Sequence, residues 1–201
     1  MQTSITGLPD LTNKRFVVLG IQGSGKSVLV KYILKSYKHS IVYDVLREHQ
    51  GLDRYFVERR QVVKHNEDDP AIIELNNFVN QVVIGSGQIR LFVLEEANRY
   101  CPPKPTPLPS SILDLNDFNR HDKIAWGAVA RRPSQLNTDL IDLAHYLFLF
   151  ELPGKHDRDY LSDIIDGLGE AVRDLPPYHF IIVEHNRKFQ THKPIPFLLG
   201  G

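Results

Sequence analysis

The chain contains a single cysteine, Cys101, among its 201 residues. One thiol cannot build an intrachain disulfide framework, and this scarcity suits a reducing compartment. Residues 1–4 lack the basic and apolar segments that begin a secretory signal. No apolar run approaches the roughly 20 residues that a membrane-spanning helix needs. We therefore expect a soluble, intracellular protein that is not secreted.

An excess of charge of either sign is also missing. Lysine and arginine together number 24, aspartate and glutamate also number 24, and the formal net charge is zero. A nucleic-acid role would therefore need a local basic surface, because overall charge gives it no support. No internal repeat or low-complexity segment stands out, and the length suits one domain over residues 1–201.

Apolar strand-like runs alternate with helix-like stretches along the chain. This alternation predicts an α/β fold with a mainly parallel central sheet flanked by helices. The predicted strands cover residues 16–19, 40–43, 61–64, 91–94, 124–129, 146–150 and 179–183. The predicted helices cover residues 27–36, 71–83, 112–118 and 157–165.

A phosphate-binding loop pattern, G-x-x-x-x-G-K-[ST], follows the first predicted strand and precedes the first predicted helix. Its residues are Gly20, Ile21, Gln22, Gly23, Ser24, Gly25, Lys26 and Ser27. Glycines let the backbone N–H groups turn towards a phosphate, and the helix N-terminus favours the negative charge. We expect Lys26 to reach the β- and γ-phosphates of ATP and Ser27 to bind Mg²⁺.

Two carboxylates end the apolar strand at residues 91–94. Acidic side chains are costly to bury, and a metal ion would explain their position. We expect Glu95 to hold Mg²⁺, through the water of the ion, and Glu96 to polarise the water that attacks the γ-phosphate. A base beside the metal ligand therefore favours an ATPase that hydrolyses ATP with water.

Three arginines flank the predicted strand at residues 124–129. Arg131 and Arg132 follow it, on the side where parallel strands face a ligand, so either can contact a γ-phosphate. Arg120 precedes it, at the opposite edge, and suits an arginine finger that reaches the ATP of a neighbouring subunit. Each arginine could instead be a solvated surface side chain. Asp44 ends the second strand and either supports the metal site or caps the next turn.

Together these motifs resemble the FtsK–HerA family of P-loop ATPases, which pump DNA. The resemblance rests on residues 20–27, 91–98 and 130–134, and on Asp44, which is similar to the acidic residue that ends the second strand in the family. The small size resembles the genome-packaging ATPases of icosahedral viruses with an internal membrane, including viruses of archaea. Ala130 and Arg131 replace a Thr-Gln pair of the family, with Gln135 as a candidate substitute, and Glu95 replaces the usual aspartate.

This resemblance implies a RecA-like domain that works in a ring, a hexamer or a pentamer, with ATP between subunits. It also implies translocation of double-stranded DNA into a preformed capsid, with partners at the capsid vertex or the internal membrane. The location would then be the host cytoplasm or the capsid vertex. Arg120 is the expected trans-acting finger. Lys104, in the proline-rich loop 101–109, and Arg187 and Lys188 are candidate contacts to DNA phosphates, although each can equally be a solvated side chain.

Other interpretations stay open. A small nucleoside or nucleotide kinase fits the length and the phosphate-binding loop, and Asp53, Arg54 and Tyr55 resemble a kinase motif. No apolar strand precedes Asp53, however, and paired glutamates suit water activation better. Two alternatives remain: a cellular HerA-like translocase, and a nucleotide-dependent switch that hydrolyses ATP poorly.

Overall fold

The computed structural model describes residues 7–58 and 61–196. Within these ranges eight strands form one sheet. They are β1 (Arg15–Leu19), β2 (Ser40–Asp44), β3 (Arg54–Phe56), β4 (Leu91–Leu94), β5 (Ala125–Ala130), β6 (Tyr146–Leu149), β7 (Phe180–Glu184) and β8 (Phe189–His192). The helices are α1 (Lys26–Ser36), α2 (Pro70–Phe78), α3 (Ser110–Phe118), α4 (Thr138–Asp142), α5 (Lys155–Ile164) and α6 (Leu168–Arg173).

The order of strands in the sheet is β3-β2-β4-β5-β1-β6-β7-β8. The first six are parallel, and β7 and β8 are antiparallel to their neighbours. The parallel strands therefore end at one side, the carboxyl edge, and begin at the other, the amino edge. Strand β1 lies in the interior of the sheet, between β5 and β6. Because the loop after β1 follows the end of a parallel strand, it lies at the carboxyl edge, where α/β proteins bind ligands.

Helices cover both faces of the sheet. On one face, Leu29 and Ile33 of α1 belong to a core cluster with Phe16 and Val18 of β1. On the other face, residues of α2, α3, α5 and α6 form a larger cluster with the alternate side chains of the strands. Strands β4 and β5 are buried throughout their length. Such near-continuous apolar strands are typical of a parallel sheet covered on both sides, and the predicted α/β fold is confirmed.

The prediction of a strand at residues 61–64 is wrong. The backbone N–H groups of Val63 and Lys64 donate to Oδ2 of Asp69, at 2.7 and 2.8 Å, instead of to another strand. The Asp69 side chain also accepts from the N–H of Ala71 and caps α2. One carboxylate thus accepts hydrogen bonds both from the irregular segment before α2 and from the first turn of that helix. The third strand along the chain is instead β3, a short strand at one edge of the sheet.

Other elements depart from the predicted ranges. The predicted helix at residues 71–83 is observed as α2 followed by a π-helical segment, Val79–Ile84. Helices α4 and α6 and strands β3 and β8 have no predicted counterpart. No helix in the described part of the chain is long and apolar enough to cross a membrane.

Candidate nucleotide-binding site

The loop between β1 and α1 has a backbone that requires glycine. Gly20 has a φ of 156°, and a Cβ there would lie 2.5 Å from Cβ of Phe150. Gly25, with a φ of 110°, directly precedes α1, and its Cβ would lie 3.1 Å from the Phe150 ring. Side chains are therefore excluded at both ends of the turn. Gln22 and Gly23 are exposed at its tip, so the loop is open to a ligand.

Lys26 and Ser24 are the polar side chains within this loop that suit a phosphate. Nζ of Lys26 donates to the carbonyl of Ile21 at 2.8 Å. Burial lowers the pKa of Lys26, and the nearby carboxylates of Glu95 and Glu96 oppose that shift. Oγ of Ser24 is buried and has no hydrogen-bond partner among the described residues. A cation, an unsatisfied hydroxyl and the start of an 11-residue helix together fit a triphosphate.

The two carboxylates after β4 face different partners. Both are almost fully buried. Oε1 of Glu95 lies 2.7 Å from Nε2 of His49. Glu96 has left-handed backbone, with a φ of 49°, and its carboxylate lies 3.3 Å from Nη2 of Arg131 and 3.5 Å from Nε of Arg99. The two carboxylates therefore have separate partners and can serve different roles.

The loop after β2 brings further charged groups to the site. Asp44 is fully buried, and its carboxylate accepts from the N–H groups of Glu48 at 2.9 Å and His49 at 3.1 Å. It also accepts from Nη1 of Arg54 at 2.9 Å. Asp44 therefore acts as a cap for this loop, one of the two roles left open by the sequence. Glu48 in turn accepts from Oγ of Ser27 at 2.8 Å.

Sequence reasoning missed Glu48 and His49. The pattern identified Asp44 because it ends an apolar strand, but residues four and five positions later carried no local signal. The contact between His49 and Glu95 spans 46 residues. It exists because β2 and β4 are neighbours in the sheet, a pairing that local patterns do not reveal.

Three side chains near the phosphate-binding loop have the chemistry to hold a magnesium ion: Glu48 is bonded to Ser27, and Glu95 acts electrostatically on the neighbouring Lys26. Ser27, Glu48 and Glu95 offer hydroxyl and carboxylate oxygens, the ligands that Mg²⁺ prefers. Among residues 7–58 and 61–196, no group of three or more His, Cys, Asp or Glu side chains is arranged to hold a metal by itself. Mg²⁺ commonly uses one or two carboxylates and completes its coordination with phosphate oxygens and water. The fit is therefore to a metal that arrives with a nucleotide.

A crevice of about 470 Å³ opens beside the phosphate-binding loop. It is lined by Ile21, Gln22, Glu96, Asn98, Arg99, Arg131, Arg132 and Gln135. The structure thus brings Arg131, Arg132 and Gln135 to the same crevice as Glu96. Nε of Arg132 lies 3.5 Å from Oδ2 of Asp157, whose Oδ1 accepts from Ser134. Arg132 is therefore held against α5, whereas Arg131 contacts the candidate catalytic glutamate.

Other predicted residues lie away from the crevice. Arg120 is exposed at the amino edge, where its charge contributes to lowering the pKa values of Arg15 and His145. A five-residue strand such as β1 separates the edges by about 16 Å, so Arg120 does not reach the nucleotide site of its own chain. Arg187 and Lys188 occupy the exposed turn between β7 and β8. Lys104 forms an ion pair with Asp139 at 2.7 Å.

No protein-family model matches the chain, and a comparison with curated proteins finds no match. Solved structures do match. The genome-packaging NTPase B204 of Sulfolobus turreted icosahedral virus 2, in complex with AMPPCP, has a TM-score of 0.75 and 19% identity over 91% of this chain and 98% of that chain. The chain therefore has the same fold as B204.

Two further structures support the same fold. B204, the DNA-packaging ATPase of Sulfolobus turreted icosahedral virus, has a TM-score of 0.72 and 20% identity over 92% of this chain and all of that chain. The N-terminal domain of zonular occludens toxin from Neisseria meningitidis has a TM-score of 0.55 and 9% identity, and the match covers 91% and 95% of the two chains. The resemblance drawn from the sequence is confirmed at the level of fold.

Proposed function

We propose that this protein is an ATP-hydrolysing motor that moves double-stranded DNA and packages a viral genome into a preformed capsid. The observation that carries the proposal is one crevice in which Glu96 and Arg131 meet beside the phosphate-binding loop of Lys26. The likeness to B204 along nearly the whole chain supports the packaging role. On this proposal the domain spans residues 1–201.

The residues of the chain suggest how hydrolysis proceeds. Lys26 and the loop N–H groups bind the β- and γ-phosphates, and Ser27 and Glu95 would hold Mg²⁺. When bound, the ion neutralises charge on the phosphate oxygens. Glu96 accepts a proton from water as the water oxygen attacks the γ-phosphorus and ADP leaves. Arg131, which contacts Glu96 at 3.3 Å, is placed to turn its guanidinium to the γ-phosphate instead.

Coupling to DNA requires more than one subunit. In a ring, hexameric or pentameric, Arg120 at the amino edge of one chain can reach the ATP of the next chain and act as its arginine finger. Arg132 and Gln135 line the crevice, and Gln135 is our candidate for sensing the γ-phosphate. Channel contacts should go to DNA phosphates, through Lys104, Arg187 and Lys188, because a packaging motor accepts any sequence. The capsid vertex or internal-membrane proteins are the expected docking partners, in the host cytoplasm or at the virion.

The test is ATP hydrolysis with and without double-stranded DNA, followed by displacement of a third strand from a DNA triplex. We expect hydrolysis that DNA stimulates, together with ATP-dependent displacement. Displacement that is absent, or equal with AMPPCP, would contradict the motor. Transfer of labelled γ-phosphate to a nucleoside or nucleotide would instead favour the kinase interpretation. Within residues 53–55, the segment that resembles a kinase motif, the Arg54 side chain forms an ion pair with Asp44.

A further inference from the structure

The carboxylate bonded to the Ser27 hydroxyl belongs to Glu48. Oγ of Ser27 donates to Oε2 of Glu48 at 2.8 Å. Glu95, which the sequence predicts to hold Mg²⁺ through the water of the ion, is bonded through Oε1 to Nε2 of His49. In P-loop enzymes the loop serine and a nearby acid hold the magnesium ion together. Two glutamates, one in the loop after β2 and one directly after β4, are therefore candidates for the acid.

The position of Glu48 is imposed by the loop and not by packing. The side chain of Glu48 is exposed, so burial does not hold it in place. Its backbone N–H and that of His49 donate to the fully buried carboxylate of Asp44. Asp44 thus directs two consecutive side chains, one to Ser27 and one to Glu95. Glu48 also acts electrostatically on Lys26, in the same direction as Glu95 and Glu96.

His49 has the geometry of a group that orients Glu95. Its side chain is fully buried, and its Nδ1 has no hydrogen-bond partner among the described residues. Among the described residues, the contact with Glu95 is therefore the only hydrogen bond of the His49 ring. Engaging Oε1 of Glu95 leaves Oε2 as the oxygen available to a ligand. Glutamate has one methylene more than aspartate, and a fixed partner removes the freedom which that methylene adds.

We propose that Glu48 is a carboxylate of the Mg²⁺ site and that His49 is the positioning residue for Glu95. A serine hydroxyl can donate its proton to Glu48 while its oxygen lone pair serves a cation. The site would then use two carboxylates, within the usual range for Mg²⁺ in proteins. This inference rests on the proposed function only in requiring that the chain binds a nucleotide with a divalent metal.

The experiment measures metal binding and not turnover. Mn²⁺ is titrated into the full chain in the presence of AMPPCP, and free Mn²⁺ is followed by electron paramagnetic resonance. Glu48→Gln should weaken Mn²⁺ binding by about 10- to 100-fold, while affinity for AMPPCP in EDTA stays unchanged. Glu184→Gln at the amino edge, which also removes one exposed negative charge, is the matched control and should bind Mn²⁺ as the wild type does.

The role of His49 is tested in the same titration. His49→Phe removes the donor and should weaken Mn²⁺ binding, whereas His49→Gln keeps a donor and should recover part of it. Wild-type Mn²⁺ affinity in Glu48→Gln would overturn the role of Glu48, and equal effects of the Phe and Gln variants would overturn that of His49. A wild-type chain that binds no AMPPCP in EDTA or with Mn²⁺ would instead contradict the proposed function.

Discussion

The two edges of the sheet carry charges in different ways. At the carboxyl edge, acidic groups are buried or bonded to specific donors, as Asp44 is to backbone N–H groups and Glu95 is to His49. At the amino edge, Lys14, Arg15, Arg120 and His185 all act on His145, and every one of them lowers its pKa. The acidic groups of the carboxyl edge thus have specific partners, whereas His145 at the amino edge lies among groups that all disfavour its protonation.

Acidic side chains also lie at the amino edge, where Asp117 acts on Arg15 and Glu184 ends β7. The contrast between the edges is therefore one of burial and pairing and not of net charge. We accordingly expect substitutions at the two edges to have effects of different kinds.

Lys26→Ala should have the largest effect, because it removes the cation that we expect to bind the β- and γ-phosphates. We expect kcat/KM for ATP to fall by about 1,000-fold or more, as measured by phosphate release. The side chain forms one hydrogen bond in the fold, so the urea midpoint should hardly change. Full hydrolysis by this variant would place the nucleotide elsewhere.

Arg120→Ala at the amino edge should lower kcat by about 1,000-fold if it supplies an arginine finger. Binding of AMPPCP by the isolated subunit should be retained, since Arg120 lies away from the site of its own chain. Mixing Arg120→Ala with Lys26→Ala subunits should restore part of the hydrolysis, because some interfaces then combine an intact Lys26 with an intact Arg120. No recovery on mixing, or normal turnover of Arg120→Ala alone, would remove the finger from the amino edge.

Asp44→Asn should show how far the carboxyl edge depends on its paired charges. The substitution leaves Arg54 without its buried partner, and we expect a loss of about 2–4 kcal/mol in the free energy of unfolding. Asp117→Asn is the matched control because Asp117 is exposed at the other edge, and its effect should stay below about 0.5 kcal/mol. Urea denaturation of both variants measures the difference. Equal losses would abolish the contrast between the edges.

His145 should give the smallest effect. Burial and then the neighbouring cations lower its pKa from 6.5 to about 4. Between these values the unfolded chain holds a proton that the folded chain lacks, so stability rises with pH from about 4 to 6.5 and falls on acidification. His145→Gln should flatten this dependence by about 1 kcal/mol or less, because solvent screens a partly exposed ring. An unchanged profile in urea unfolding across that range would contradict the cationic environment.

Local sequence patterns predicted what is local in the structure. The segment from Gly20 to Ser27 and the pair Glu95 and Glu96 directly follow buried apolar strands, so their place at the carboxyl edge could be read from their order. Residues 61–64 looked like a strand because of their valines, but Val63 is 77% exposed. The backbone N–H of Val63 donates to Asp69, and a pattern of apolar residues does not predict such a polar contact.

Long-range contacts could not be predicted in the same way. Glu48 meets Ser27 across 21 residues and His49 meets Glu95 across 46, and both contacts need the order of strands in the finished sheet. The contact between Arg131 and Glu96 likewise needs β4 and β5 to be neighbours. The sequence therefore predicts the chemistry of the site better than the partners of its residues.

On the proposed mechanism, Glu96 activates water for ATP hydrolysis at the carboxyl edge. The most direct measurement is a comparison of wild type and Glu96→Gln, with ATP binding and steady-state hydrolysis measured on the same samples. The account predicts ATP affinity within about three-fold of wild type and kcat lower by about 100- to 10,000-fold. Undiminished hydrolysis by Glu96→Gln, with binding intact, would contradict it.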